Sequence, residues 1–284
     1  MKFYELAINL CGYYDPTLFS KLYTQIANKY NRIYIGSEYC SAFLALFDAN
    51  FDKILAIIEN EKKVSFVFPM MQEMHWHELK KICAKLTSKS NIDEVIVNDI
   101  GTLVYCRKLF TNKNIVLGKL FCKTPREPRI DLWRFEGINN TNVLSESVFE
   151  TPFFKIIMQE YMINQVETEF ISKEYTNDIC INSSQYYIGI HYPYIYITSG
   201  TICPLSCYPK NGDIQFTNKK VCDARCMHTI IHMNNPELKR FVINRGNVYM
   251  YKAEIDENDF ELLSSSNIRL IYNDIMPIIQ DDRL

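Results

Sequence analysis

The sequence lacks features that mark several large classes of protein. No apolar run approaches the roughly 18 residues that suggest a membrane-spanning helix. The chain carries 31 lysine and arginine residues against 33 aspartate and glutamate residues, so no global charge marks it as a partner of nucleic acid or of an acidic membrane. The opening stretch MKFYELAINL contains Glu5 where a signal peptide would be apolar. We therefore expect a cytoplasmic protein with no secretory signal and no membrane span.

Histidine is scarce, with five residues, whereas cysteine is abundant, with ten. Four cysteines crowd the turn-rich stretch 199–230, and they are Cys203, Cys207, Cys222 and Cys226. Thiolates are soft ligands that select zinc, copper(I) or iron-sulfur clusters. In a reducing compartment a disulfide framework is not expected. The stretch therefore predicts a metal or cluster site, with packing of buried thiols as the plain alternative.

Short runs of β-branched and aromatic residues alternate with segments that have apolar residues at helical spacing. The predicted strands are 2–10, 32–36, 64–69, 94–98, 114–119, 165–170, 186–191 and 268–272. The predicted helices are 16–29, which Asp15 would cap, 52–61, 75–88 and 101–110, and a hairpin is expected over 240–251. This alternation favours a parallel sheet. Between an open sheet and a closed one, we favour a single α/β domain over 1–284 that forms a (β/α)8 barrel of the TIM type, with the cysteine-rich loop at its rim.

In such barrels the chemistry lies at the carboxyl ends of the strands. Glu38 and Cys40 follow the second predicted strand, Asp99 follows the fourth, and His191 ends the seventh. Cys40 is therefore expected at the same rim as the loop cysteines, as a fifth candidate thiolate. His191, Asp99 and Glu38 are the candidate catalytic residues. Hydrogen bonding to the backbone is the alternative role for each of them.

Three stretches resemble the collagenase-like peptidase superfamily: IYIGSEYC at 33–40, HYPYIYITSGTIC at 191–203 and VCDARC at 221–226. Within it, the chain is most similar to the branch that assists oxygen-independent hydroxylation in ubiquinone synthesis. That resemblance implies a [4Fe–4S] cluster bound by Cys40, Cys203, Cys222 and Cys226, with Cys207 in reserve. It also implies a homologous barrel protein as a heterodimer partner.

The chain departs from the pattern of that branch in three places. Ile202 stands where the branch has arginine, Tyr192 and Pro193 replace a Gly-Ala pair, and Cys207 is an additional cysteine. These changes leave the substrate open among a quinone precursor, an RNA base and a peptide.

Two further readings of the sequence stay open. Four cysteines in pairs can also form a structural zinc site, which would make the chain a binding or scaffold module. A genuine peptidase is the other reading. The sequence has no HExxH helix, no GxSxG elbow and no cysteine clearly paired with a histidine, so we do not expect proteolysis.

Overall fold

A computed structural model gives the fold, and it describes residues 5–59, 61–121, 148–171, 185–207, 222–234, 236, 241–253 and 267–273. Eight parallel strands close into a barrel, in which β1 pairs with both β12 and β2. The barrel strands are β1 Glu5–Asn9, β2 Arg32–Gly36, β3 Lys63–Val67, β4 Ile92–Val97, β5 Asn114–Leu117, β6 Gln165–Glu169, β7 Tyr187–Tyr192 and β12 Ile268–Asn273. The predicted α/β barrel is confirmed, and the strand predicted at 268–272 is the one that closes it.

Helices connect the barrel strands and cover their outer face. They are α1 Pro16–Ile26, α2 Phe43–Ile57, α3 Trp76–Thr87, α4 Ile100–Leu109 and α5 Pro152–Glu160. The single turn α6 Pro204–Cys207 lies in the insertion between β7 and β12. Short 3-10 turns lie at Ala27–Lys29, Glu73–His75, Val148–Glu150 and Arg225–Met227. The predicted cap of α1 is present, since the Leu18 N–H donates to Asp15 Oδ1 at 2.8 Å. No helix in the described ranges has the length and apolar character needed to cross a bilayer.

Two helices differ from the sequence expectation. The helix predicted at 52–61 begins at Phe43, because Phe43, Phe47 and Phe51 recur every four residues on its buried face. Helix α5 was not predicted. Thr151 caps it by accepting a hydrogen bond from the Phe154 N–H at 3.3 Å.

A second, antiparallel sheet is inserted between β7 and β12. Its strands are β8 Tyr194–Ser199, β9 Ile231–Asn234, β10 Phe241–Arg245 and β11 Val248–Lys252, in the order β8-β11-β10-β9. The hairpin expected over 240–251 is confirmed as β10 and β11, joined by the two-residue turn Gly246–Asn247. The rest of this sheet was not predicted. Residues 208–221 of the cysteine-rich stretch lie outside the described residues.

Side chains fill the interior of the barrel in layers. At the amino end of the strands, Arg32 Nε lies 2.8 Å from Glu5 Oε2, and Arg269 Nη2 donates to Glu94 Oε1 at 2.8 Å. Burial by itself would raise the pKa of the Glu94 carboxyl, but Arg269 and Arg32 together hold that pKa below its ordinary value. The next layer is largely apolar and consists of Ala7, Tyr34, Val67, Ile96, Val116 and Ile271. These two layers fill the amino end and the middle of the barrel with buried side chains. The candidate site therefore lies at the carboxyl end of the strands.

Candidate functional site

The turn after β2 brings Cys40 to the mouth of the barrel. Gly36 ends the strand with φ 105°, and a Cβ added there would lie 2.5 Å from Val67 O, so only glycine fits. The chain then folds back on Ser37, whose Oγ donates to Cys40 O at 2.8 Å and accepts from the Cys40 N–H at 3.3 Å. This local turn holds the Cys40 thiol at the rim.

The segments after β8 and before β9 of the inserted sheet bring three further thiols to the same place. Cys222 lies close enough to Cys40 to raise the pKa of the Cys40 thiol. At Gly246, the position that a Cβ would take lies 3.5 Å from Cys226 Sγ and 3.9 Å from Cys203 Sγ. The four cysteines that the resemblance implies as ligands are therefore neighbours in the fold.

The proximity of these thiols changes their acidity. The hydrogen bond with Cys222, followed by burial, raises the pKa of the Cys40 thiol well above its ordinary value. Burial raises the pKa of Cys226 to about 11, although the Arg245 charge acts in the opposite direction. Burial also raises the pKa of Cys203. Four adjacent thiolates are unfavourable by themselves, whereas a bound metal reverses this balance because a coordinating thiol loses its proton.

The donor set at this place consists of sulfur atoms. In the described part of the chain, no group of three or more His, Cys, Asp or Glu side chains has the arrangement of a metal-ion site. The four thiols are thus neighbours that are not arranged as a metal-ion site in the described residues. A [4Fe–4S] cluster would be held by four cysteine thiolates. The soft donor set fits such a cluster in its chemistry.

Cys207, the reserve ligand, lies at the end of α6. It is buried, and its N–H donates to Cys203 O at 3.2 Å. The sulfur that lies beside Gly246 is that of Cys203. Cys203 is thus the cysteine of this turn whose sulfur lies at the hairpin.

Arg245 is a basic residue at the site that the sequence analysis missed. Its Nε donates to Cys226 O at 3.2 Å, and its guanidinium lies 5.2 Å from the centre of the Tyr13 ring. Arg245 immediately precedes the Gly246–Asn247 turn. That position in the predicted hairpin was the only feature of the sequence that could have indicated a role for Arg245 at the site. A fixed positive charge beside Cys226 favours the thiolate form of this group.

A cavity of about 90 Å³ separates the barrel mouth from the inserted sheet. Its wall includes the thiols Cys40 and Cys226 and the polar side chains of Asn9, Glu38, Lys119 and Asn273. The turn between β10 and β11 is held beside this cavity by Asn247, whose Nδ2 donates to the carbonyls of Tyr39 and Gly200, both at 2.7 Å. A molecule bound in the cavity would therefore contact two of the four candidate ligands.

Of the three candidate catalytic residues, Glu38 lines this cavity and His191 contacts residues that line it. Glu38 lines it, with Oε2 at 3.2 Å from Lys119 Nζ and Oε1 at 3.6 Å from His191 Nδ1. His191 is fully buried beneath it, with Nε2 at 3.0 Å from Glu167 Oε2 and Nδ1 at 3.1 Å from Asn273 Oδ1. His191 thus reaches the cavity through the residues that line it.

Asp99, the third candidate, has a structural role. Its carboxylate caps α4 by accepting hydrogen bonds from the Thr102 N–H and Oγ1, both at 2.8 Å. It also accepts from the Met71 N–H at 3.0 Å, which ties the loop after β3 to α4. Asp99 is not among the residues that line the cavity. Asp99 therefore follows a strand because it caps the next helix. Its hydrogen bonds to the backbone are the alternative role that the sequence analysis left open.

Strand β6 supplies acidic side chains that the sequence analysis did not select. Glu167 contacts His191, and Glu169 Oε1 lies 3.5 Å from Lys119 Nζ and accepts from the Tyr196 N–H at 3.1 Å. Both glutamates are buried. The sequence feature that could have indicated them is the alternation QVETE. It places Gln165, Glu167 and Glu169 on one face of the strand, which faces the interior of a closed barrel.

The fold defines the class of the protein as an eight-stranded parallel α/β barrel with an inserted antiparallel sheet. No protein-family model matches the chain, and no curated protein matches it. The identification therefore stays at the level of the fold.

Three solved structures show a distant similarity. A sialic acid aldolase from Ruminococcus gnavus is 10% identical, with a TM-score of 0.43 over 66% of this chain and 62% of the aldolase. A protein from Mesorhizobium loti described as a dehydratase is 13% identical, with a TM-score of 0.42 over 66% of this chain and 48% of its own. A chitinase from Trichuris suis is 11% identical, with a TM-score of 0.35 over 94% and 91%. This chain spans less than two thirds of the first two proteins, and at these values the similarity carries no conclusion about activity.

Proposed function

We propose that the chain is an iron-sulfur protein in which Cys40, Cys203, Cys222 and Cys226 hold a [4Fe–4S] cluster at the barrel mouth. The observation that carries this proposal is the meeting of four thiols from separate parts of the fold, namely the turn after β2, the segment after β8 and the segment before β9. Thiolates are the ligands that iron-sulfur clusters use.

The chain's own residues support a cluster at this position. Gly246 has φ 67° and leaves space beside the sulfurs of Cys226 and Cys203. Arg245 places a positive charge next to Cys226, which would stabilise an anionic cluster. Asn247 anchors the hairpin to Tyr39, one residue before Cys40. When bound, the cluster would supply one-electron transfer.

The cavity beside Cys40 and Cys226 is the place that we assign to a substrate. We propose that the protein supports an oxygen-independent hydroxylation or a related modification, of a quinone precursor, an RNA base or a peptide, in keeping with the family resemblance. A homologous barrel protein is the proposed partner, and the cytoplasm the proposed location. Proteolysis is not favoured, because the ring nitrogens of His191 face Glu167 and Asn273 rather than a nucleophile.

Structural zinc is the second candidate, since four neighbouring cysteines are also typical of closed zinc sites. In that case the chain would be a binding or scaffold module. Metal and sulfide analysis of the full chain purified under anaerobic conditions separates the two. Four irons with sulfide per chain would support the cluster, and one zinc without sulfide would replace it with the scaffold function. A protein with neither metal would leave the thiols as packing groups.

A further inference from the structure

We propose that Glu167 and His191 hold one shared proton inside the barrel, and that His191 acts as a positioning residue for the cavity wall. The two residues are the central pair of a buried chain of hydrogen bonds that runs from the backbone at Cys11 to the guanidinium of Arg269. The directions of the hydrogen bonds are fixed at both ends of this chain. These residues lie in the barrel interior, and their hydrogen bonds involve none of the four thiols proposed as ligands.

The end near the cavity fixes the donor at His191 Nδ1. The Cys11 backbone N–H can only donate, and it lies 2.9 Å from Asn9 Oδ1. The amide nitrogen of Asn9 therefore faces Asn273 and donates to its Oδ1 at 3.0 Å. That same oxygen lies 3.1 Å from His191 Nδ1. Because an amide oxygen only accepts, Nδ1 must carry a hydrogen.

The other end fixes the acceptor at Glu167 Oε1. The guanidinium of Arg269 only donates, and its Nη1 donates to the Tyr34 hydroxyl at 2.8 Å. The hydroxyl hydrogen of Tyr34 then points to Glu167 Oε1, at 2.7 Å. The second oxygen, Oε2, lies 3.0 Å from His191 Nε2. A hydrogen bond at this distance needs one hydrogen between these two atoms.

The proton count follows from the two ends. His191 carries a hydrogen on Nδ1, and a further hydrogen lies between Nε2 and Glu167 Oε2. The pair therefore holds one proton more than a neutral imidazole next to a carboxylate, either as imidazolium with carboxylate or as imidazole with carboxylic acid. Both forms have no net charge, which avoids the cost of burying an unpaired ion.

This proton has a defined effect on the cavity. The Nδ1–H is directed at Asn273 Oδ1 and lies near Glu38 Oε1, at 3.1 and 3.6 Å, and both side chains line the cavity. The other charged groups of this network are Lys119, which pairs with Glu38 and Glu169, and Arg269. His191 thus orients two wall residues from beneath without contacting a ligand itself.

The test is ¹⁵N NMR of the imidazole nitrogens in the full chain with labelled histidine, at a neutral pH. The chain has only five histidines, so His191 can be assigned by replacing the other four with glutamine, one at a time. We expect both nitrogens of His191 to be protonated, or else a neutral ring together with an infrared band of a protonated carboxyl group. A neutral ring without that band would overturn the proposal.

Glu167→Gln sharpens the test because it keeps the shape of the side chain. The new amide nitrogen can donate to His191 Nε2, so we expect a neutral ring with its hydrogen on Nδ1. If the wild-type ring is imidazolium, the Nε2 hydrogen is lost in the variant, and if the wild-type proton is on Glu167, the carboxyl band is lost. Glu169→Gln is the matched control on the same strand, and it leaves both ring partners in place. If Glu167 does not share the proton, neither the ring signals nor the carboxyl band changes. If Glu167→Gln does not fold, the wild-type spectrum alone decides the question.

Discussion

Gly246, in the turn between β10 and β11, lies directly against Cys226. A Cβ added at Gly246 would be 3.1 Å from the Cβ of Cys226, and the backbone has φ 67° there. We expect Gly246→Ala to cost about 1–2 kcal/mol in the free energy of unfolding, because an L side chain is strained in this conformation. We also expect it to reduce the iron retained per chain, because it displaces Cys226.

Gly200→Ala is the control for this prediction. A Cβ at Gly200 would find no atom closer than 3.5 Å, from Ile202 O, and the residue is not in the left-handed region. Thermal unfolding and iron analysis of both variants provide the measurement. Equal stability and equal iron content in the two variants would show that Gly246 has no special role beside Cys226.

The ion pairs at the amino end of the barrel lead to a prediction about stability. Arg32 is buried and lies 2.8 Å from Glu5 and 3.1 Å from Glu94. Arg32→Ala removes this partner from two buried carboxylates, and we expect a loss of about 3–5 kcal/mol. Lys89→Ala breaks a more exposed pair with Asp52, and we expect a loss below about 1 kcal/mol. Urea unfolding of both variants measures the difference, and similar losses would show that the buried network does not support the barrel.

Asp99 lies at the carboxyl end of β4, where a catalytic role was expected, yet its carboxylate caps α4. We expect Asp99→Ala to lower the free energy of unfolding by about 1 kcal/mol, the usual cost of a lost N-cap. We expect the iron content to stay at the wild-type level, because Asp99 does not line the cavity. Chemical unfolding and iron analysis provide the two readouts. Loss of iron without loss of stability would contradict the capping role.

The sequence predicted the barrel because its strands are short apolar runs that alternate with amphipathic helices. The position of Cys40 at the rim followed from the same pattern, because parallel strands present their carboxyl ends on one side. Helix α2 was predicted to start too late, since the aromatic residues from Phe43 to Phe51 did not stand out as a helical face. Strand β8 was missed because its partner is β11, far along the chain. Strand β9 was missed because it has only four residues, all of them exposed, and so shows no buried face.

Other parts of the site depend on contacts that no local pattern encodes. Arg245 becomes part of the site only because the hairpin folds back onto Cys226. Glu167 belongs to the site because it is hydrogen-bonded to His191 and Tyr34, which lie on other strands of the closed barrel. Charged residues within a strand indicate burial in a barrel only once closure is known.

The most direct test of the proposed cluster is the iron and sulfide content of Cys40→Ala, compared with that of Cys83→Ala, both purified without oxygen. Cys83 is buried in α3 next to Cys106, away from the barrel mouth, and controls for the loss of a buried thiol. We predict that Cys83→Ala retains iron and sulfide at the wild-type level and that Cys40→Ala loses both. Equal iron and sulfide in the two variants would contradict a cluster that bridges the turn after β2 and the cysteine-rich stretch.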